Sequence, residues 1–527
     1  MKRKLVALWM MSILAVTSLV GCQDKEESNV EANDTVQETQ EQNPERPQMP
    51  DMPEGMTPPD WQGMVQEQEP LDDLVAAYAY DEIFSDRDLR QVADISDAVY
   101  VTLANDHSKA SGDGVLVEGN CITFTKEGVY VLSGKLADGQ LVVDCEDDKV
   151  QLVLDGVSLS SDDAAALHVK SADKVFVTTM AGTENRLEST APVGEEDDDD
   201  VLSAVFSKSD LTFNGEGALR IVSEESHGIT GNDDVVITGS ALTVSAKGEG
   251  IQANDMIGIA GGEIVIEKSD EGLESTVVAI HGGKTTIHAN DDGINATDMN
   301  DVSENETEFG TDGVSSICIF GGEVTIDSDA DGIDSNGEFY MGGGTLYVSG
   351  ANASDNAALD YSGSAQITGG VVVATGMSQM ASNFGTASTQ VSVLVTLDEV
   401  TDEEVVVKNA SGEVLVTFAP GKDYNSVVVS SPNLSVGDTI TVEAGGMTKQ
   451  VEITDTITGG MGGFGGSGGF GGPGGERPQM PEGMEFPEGE MPQMPEGMEF
   501  PEGERPQMPE GMEFPGGEWP EMPQNGK

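Results

Sequence analysis

One short pattern returns along the middle of the chain and limits what it can fold into. It reads Ser226-His227-Gly228-Ile229, Gly248-Glu249-Gly250-Ile251, Asp270-Glu271-Gly272-Leu273, Asp291-Asp292-Gly293-Ile294 and Ala330-Asp331-Gly332-Ile333. The glycines fall at 228, 250, 272, 293 and 332, in steps of 22, 22, 21 and 39; an acidic insertion over 299–313 lengthens the last. After each pattern most units carry a polar pair, such as Asn254-Asp255, and an alternating strand, such as Ile257/Ile259. A Gly-Gly turn follows, as at Gly261-Gly262, and a second alternating strand closes the unit, as at Ile264/Ile266. Three short strands and three turns in about 22 residues make one coil of a parallel β-helix. Period-2 alternation sends every second side chain inward. No coil buries its apolar face alone, so the coils must stack.

The alternatives fail on the same pattern. A leucine-rich repeat has a Leu/Asn signature and helices that are absent here. A nine-residue calcium β-roll has the wrong period, and an antiparallel barrel would not repeat at 22. Less regular strands over 114–223 read as earlier coils, interrupted by an acidic loop at 195–200. From 391 to 457 the chain becomes Val/Thr-rich, with turn signals at Ser411-Gly412 and Val436-Gly437. That stretch reads as a small antiparallel β cap, which a stack of coils needs on its open edge. The expected organisation is a β-helix over 85–383, a cap over 384–457, and flanks without a fold of their own.

The flanks are the spacers 22–84 and 458–527. Both are rich in Pro, Glu and Met, as in Pro47-Gln48-Met49-Pro50 and Pro478-Gln479-Met480-Pro481. Too few apolar residues are present there to offset ordering entropy, so disorder is expected, apart from a short helix near 71–80. The methionine density raises copper as a ligand, but disordered thioethers beside many prolines make no site by default. At the start, Lys2, Arg3 and Lys4 precede an apolar stretch that ends at Gly21-Cys22, followed by Gln23 and Asp24. That reads as a secretory signal over 1–21. The end of it resembles a lipobox, which makes Cys22 the expected lipid-attachment residue and the membrane a partner through that anchor. Cell-surface exposure would follow.

Charge removes two classes of partner. With 25 basic and 95 acidic residues the formal charge is −70. Nucleic acid needs a cationic face, and an anionic lipid surface would repel the chain. Of the remaining cysteines, Cys121, Cys145 and Cys318 show no metal or redox spacing. A Cys121–Cys145 disulfide is left open.

The acidic repeat is the main chemical feature. Glu249, Glu271, Asp292 and Asp331 share one phase, and Asp270 and Asp291 the phase before; Asp298 and Asp329 lie beside them. Stacking would bring like charges within several Å, which needs protonation or a bridging cation. Hard oxygen donors select Ca²⁺, so these eight residues are the candidate metal ligands. A solvated acidic turn with no discrete site is the alternative. Asn232, Asn254 and Asn336 read as an inward structural ladder, and the histidines are too scattered to hold a metal. For sugar stacking, the repeat has no Trp, which leaves Tyr340, Tyr347 and Tyr361, with Tyr340 and Tyr347 as the carbohydrate-binding candidates.

Several motifs follow one another along the chain: Gly128-Val129-Tyr130-Val131-Leu132-Ser133-Gly134, Gly182-Thr183-Glu184-Asn185, the stretch from Ala204 to Gly215, His227-Gly228-Ile229 and Ser430-Ser431-Pro432. Together they resemble the carbohydrate-binding domain-containing lipoproteins of clostridia and relatives. The resemblance covers roughly 85–455 and leaves the Met/Pro tail unexplained. It implies a right-handed, pectate-lyase-like parallel β-helix on the cell surface. It also implies binding of plant-type polysaccharide, including acidic pectic chains, with calcium and without catalysis. Two other functions compete: a calcium-dependent polysaccharide lyase on the same fold, and a structural adhesin or stalk. A lyase needs a strong base at the uronate. Arg220, Lys247, Lys268 and Lys284 are the cations of the repeat, and none sits in an evident activating context.

Overall fold

The computed structural model describes residues 71–146, 148–191, 203–299, 313–351, 353 and 355–459. Residues 1–70 with Cys22, residues 460–527, the acidic loop at 195–200 and most of the 299–313 insertion lie outside these residues. The described chain is all-β, with two short helices, Asp72–Ala77 and Tyr80–Ile83. One large mixed sheet of 32 strands and one antiparallel sheet of four strands make up the rest.

Most of the large sheet is three columns of parallel strands. The first column includes His227–Gly231, the start of Ile251–Ile259, the start of Leu273–Ile280, Ile294–Ala296, Ile333–Ser335 and Leu359–Tyr361. The second includes Val235–Ile237, the ends of those two long strands, Ser316–Ile319, Glu338–Met341 and Ala365–Ile367. The third runs from Glu184–Ser189 through Ala218–Ser223, Ala241–Ser245, Glu263–Lys268, Lys284–Ala289, Glu323–Ser328 and Thr345–Ser349 to Val371–Gly376. Each repeat therefore pairs with the next, strand for strand, about 4.8 Å away.

The alternation expected from sequence fills the core. Ile251, Leu273, Ile294 and Ile333 stack in the first column with no exposed surface, and Ile264, Val324 and Leu346 do so in the third. The long step is absorbed without loss of register: Ile294 pairs with Ile333 across it. The recurrent glycine has a steric cause. A Cβ on Gly293 would lie 2.3 Å from Ile326 Cγ2 and 2.6 Å from the Gly332 carbonyl oxygen of the next repeat. At the Gly-Gly corners the second residue needs a left-handed backbone, as at Gly322 with φ +88°.

Two devices finish the structure. Tyr424–Ser430 pairs antiparallel with Val371–Gly376 and closes the last parallel edge. Beyond it Val405–Lys408, Val414–Phe418, Thr439–Ala444 and Met447–Glu452 form the antiparallel sheet. The second device is a strap over residues 71–91, which lies on the outward face of the second column. The Leu71 amide donates to Gln366 Oε1, His281 Nε2 meets the Tyr78 carbonyl at 2.9 Å, and Gln91 Nε2 donates to the Thr238 carbonyl. Asp88 anchors it: its carboxylate is buried, 3.0 Å from Lys174 Nζ, and accepts from Thr212 Oγ1. These contacts place 71–84 on the β body, where sequence reading expected only a spacer with a short helix. The three cysteines outside the flank are free: Cys145 Sγ donates to the Phe124 carbonyl and Cys318 is fully buried.

Removing an inward methyl stack should cost far more than trimming an outward position on the same column. Ile266→Ala should lower stability by about 2–5 kcal/mol. Thr325→Ala, which points outward, should stay within about 0.5 kcal/mol. Urea unfolding followed by circular dichroism checks both; equal costs would contradict the alternation.

Candidate functional site

The in-register columns bring the acidic phase together. The Gly250, Gly272 and Gly293 amides donate to the carbonyls of Glu271, Asp292 and Asp331 at 2.8, 3.0 and 2.9 Å. Glu249, Glu271, Asp292 and Asp331 are thus successive rungs beside the first column. Two residues after each glycine stand Gln252, Glu274, Asn295 and Asp334; with Asp360, which follows Ala358 in the same phase, they form a neighbouring outward row aligned by strand pairing. The two rows run side by side, and both are partly buried.

They converge at the later repeats. One carboxylate oxygen each from Asp292, Asp331 and Asp334 lies within 4.8 Å of the other two. Backbone amides fix the geometry: Asp331 N–H donates to Asp292 Oδ1 at 2.7 Å, and Ala357 N–H donates to Asp331 Oδ1. One repeat earlier, Asn295 Nδ2 donates to Glu271 Oε1 at 2.9 Å and Gln252 Nε2 to Glu274 Oε2 at 2.6 Å. Glu271 Oε2 and Asn295 Oδ1 are buried with no hydrogen-bond partner among the described residues.

Electrostatics follow from this crowding. Burial, with Asp292, Asp334 and Asp360 alongside, pushes the Asp331 carboxyl up to about 8. Burial, and then Asp292, Asp360 and Asp291, raise Asp334 to about 8. Glu271 also rises to about 8, through burial and then Glu274, and Asp292 to about 6 through burial first. A carboxylate held above its ordinary value is strained in its charged form. The donor set fits a hard divalent cation: oxygens only, and spacings within reach of one ion at about 2.3–2.6 Å from each.

The eight metal candidates divide. Asp292 and Asp331 sit in the cluster, and Glu271 stands one rung away. Glu249 abuts His227 Nδ1, two rungs away. Asp270 and Asp291 stack through backbone bonds but are exposed. Asp329 is exposed and ion-paired to Lys422 of the cap at 2.8 Å. Asp298 lies past Ile294–Ala296, outside the converging three. Asp334, Glu274 and Asp360 were missed. Their signal was in the repeat: each stands two residues from the glycine phase, where alternation turns side chains outward.

The aromatic candidates do not offer free ring faces. Tyr340 is 7% exposed, packs on Phe320 and hydrogen-bonds Thr368 Oγ1, so it is corrected from a stacking residue to a packing one. Tyr347 is half-buried and stacks on Phe418 at 5.2 Å, which covers one face. Asn254 and Asn336 are partly exposed rather than inward; Asn336 donates to Thr297 Oγ1. His227, His281 and His288 stay apart, with His281 stacked on Phe320 beneath the strap and His288 beside Asp327. Of the cations, Arg220, Lys268 and Lys284 are on the third column, and Lys247 is paired with Glu225.

Comparison with known proteins agrees with the resemblance read from the motifs. Residues 118–357 match the model of a family described as carbohydrate-binding domain-containing protein. A curated protein of that description from Acetivibrio thermocellus is 33% identical over 148 residues, 27% of this chain and 52% of the relative. The chain thus spans about half the length of that relative. A solved structure of a polysaccharide lyase-like protein from C. thermocellum, a gadolinium derivative, aligns at 25% identity with a TM-score of 0.36. The alignment covers 52% of this chain and 93% of that one.

The raised carboxyls set a pH dependence in metal-free buffer. A folded-state value above the unfolded one means the native state binds more protons, so stability falls as pH rises between the two. For Asp331 and Asp334 that window runs from about 4 to about 8. Thermal melts in EDTA should drop between pH 5 and pH 8, and Asp334→Asn should flatten the slope. A melt independent of pH across this range would refute the crowding.

Proposed function

We propose that this chain is a surface-anchored binder of acidic polysaccharide that uses Ca²⁺ held by Asp292, Asp331 and Asp334. The observation that carries the reading is the convergence of these three carboxylates beside Glu271, Glu274 and Asp360, inside a region that matches a carbohydrate-binding family. A uronate chain approaching a protein of charge −70 is repelled unless cations intervene. Ca²⁺ bound there would supply positive charge to both the Asp wall and the sugar carboxylates. The residues' part is to hold the ion: backbone amides fix Asp292 and Asp331, leaving their other oxygens for a cation. The architecture in this reading is a right-handed parallel β-helix; the three in-register parallel columns support it.

The reading is non-catalytic. Removing a proton beside a uronate carboxylate needs a base, and three of the repeat's four cations are on strands of the third column, while the carboxylates line the first. Polygalacturonate should bind with Ca²⁺ in the millimolar range or below. Binding should vanish in EDTA while the fold survives, and Asp331→Asn with Asp334→Asn should weaken it by at least about tenfold. Affinity electrophoresis reads all three; binding that persists in EDTA would refute the calcium mechanism.

The anchor belongs to the same proposal. Cys22 follows the signal-like segment 1–21, and two or more acyl chains on it would hold the protein at the cell surface. Cys22→Ser should move the protein from the detergent phase to the medium, or leave an uncleaved precursor. Unchanged detergent partitioning would rule the anchor out.

A further inference from the structure

One ion pair differs from the others among the described residues. Asp88 and Lys174 are the only buried carboxylate and ammonium there, at 1% and 8% exposed. Lys174 Nζ lies 3.0 Å from Asp88 Oδ1. Pairs such as Lys149–Asp173 and Lys284–Glu323 keep about half of each side chain in water. Taking two charges out of water is costly, and their attraction offsets that cost only in very good geometry. The pair also joins distant segments, the strap and the first residue of the strand Lys174–Thr179.

The surroundings of the Asp88 carboxyl suit an acyl group under attack. Its Oδ2 accepts from the Ser85 amide at 2.9 Å and from Ser85 Oγ at 2.5 Å, and its Oδ1 accepts from Thr212 Oγ1 at 2.6 Å. The Asp88 main chain is clamped too: its carbonyl accepts from Asn214 Nδ2 at 3.2 Å and from Thr238 Oγ1. Beside the amine two carboxylates follow in one row. Asp210 pairs in register with Lys174, and the Leu211 amide donates to the Asp234 carbonyl. Asp210 Oδ2 is 3.9 Å from Lys174 Nζ. Burial, and then Asp210, pushes the Asp234 carboxyl up to about 6. The buried Phe176 ring lies 5.9 Å from Nζ, and the Arg87 guanidinium covers that ring at 4.2 Å.

We propose that Lys174 Nζ and Asp88 Cγ condense into an amide, a covalent cross-link that fastens the strap to the β body. The resting pair is ionic: burial opposes the Asp88 carboxylate, but Ser85, Thr212 and Lys174 hold it below the ordinary range. One proton first passes from Nζ to Oδ1, which removes both buried charges. The neutral, desolvated amine is a nucleophile, and its attack forms the Nζ–Cγ bond. Negative charge moves to Oδ2, where the Ser85 amide and hydroxyl stabilise it. A second proton leaves Nζ through the Asp210 and Asp234 carboxylates to Oδ1. The Cγ–Oδ1 bond then breaks and one water departs, with Oδ2 left as the amide oxygen. No oxidant or cofactor enters the balance. Proximity replaces an activated acyl donor, because both groups are held by the fold before they react. The link closes the chain between 88 and 174, which restricts the unfolded state as a disulfide would. It also keeps the strap from peeling off the second column. It does not depend on how a glycan is bound.

Peptide mass spectrometry on the full chain tests this, after denaturation and trypsin digestion. The linked protein should lose cleavage after Lys174. It should yield residues 88–90 joined to residues 171–186, lighter than the two peptides together by one water. Lys174→Arg keeps the charge but has no amine to acylate, and should give separate peptides, as should Asp88→Ala. Asp210→Asn with Asp234→Asn should slow the appearance of the linked peptide in freshly synthesised chain by at least about tenfold. Should a variant fail to fold, the wild-type digest still decides. Complete cleavage after Lys174 with a free 88–90 peptide means an ordinary salt bridge and overturns the proposal. Lys174 joined to Asp210 instead of Asp88 overturns it as well, and an unchanged rate in the double variant overturns the proton route.

Discussion

Register-true hydrogen bonding between equivalent strands of successive repeats is the constraint on which the structure depends. It places residue n of one repeat about 4.8 Å from residue n of the next. For inward positions that proximity is favourable: Ile251, Leu273, Ile294 and Ile333 stack and lose their water. Each such side chain contributes about 1.5–3 kcal/mol of burial. For outward positions the same spacing is indifferent when the residues are Thr or Val, and costly when they are Asp or Glu. One geometry therefore makes both the core and the charge crowding around Asp331.

Parallel columns leave two problems, an open edge at the end of the stack and an outward face that is too apolar for water. The edge is closed by Tyr424–Ser430, which turns parallel pairing into antiparallel. The face is the outward row Phe176, Thr212, Val236, Gly258, Ala279, Cys318 and Tyr340 of the second column, mostly apolar. The strap covers it, and Gly258 leaves room for Ile83 and Phe84, whose atoms would lie 3.0 and 3.3 Å from a Cβ. Asp88 holds the strap because its carboxylate, though buried, has Ser85, Thr212 and Lys174 as partners, which together keep it below the ordinary carboxylate range against the opposing effect of burial. A buried charge with this many partners fixes a segment's position as much as it stabilises it.

The strap lies on the second column, and the first and third columns differ in their chemistry. The first presents carboxylates whose charge a cation would relieve. The third presents paired charges of both signs. Like charge in the first column is tolerated through raised proton affinity, as for Glu271 and Asp334. Complementary charge in the third arises because Lys284 falls between Glu263 and Glu323 in the stack.

Much of this was legible in the chain itself, because a repeat makes tertiary neighbours of residues at fixed sequence intervals. The 22-residue step gave the all-β character, the alternation of Ile264 and Ile266 gave the inward face, and the Gly-Gly pairs gave the corners. The acidic phase was visible in Glu271, Asp292 and Asp331, since equal phase means stacking once the strands pair. What sequence did not determine lies where the repeat does not reach. Tyr340 is removed from the surface by Phe320 and Thr368. Leu71 finds Gln366, 295 positions away, through a strap with no period at all. Periodic contacts are local in the repeat's own coordinate and can be counted along the chain. Aperiodic ones depend on which face is left uncovered once the stack has formed, and only the folded structure decides that.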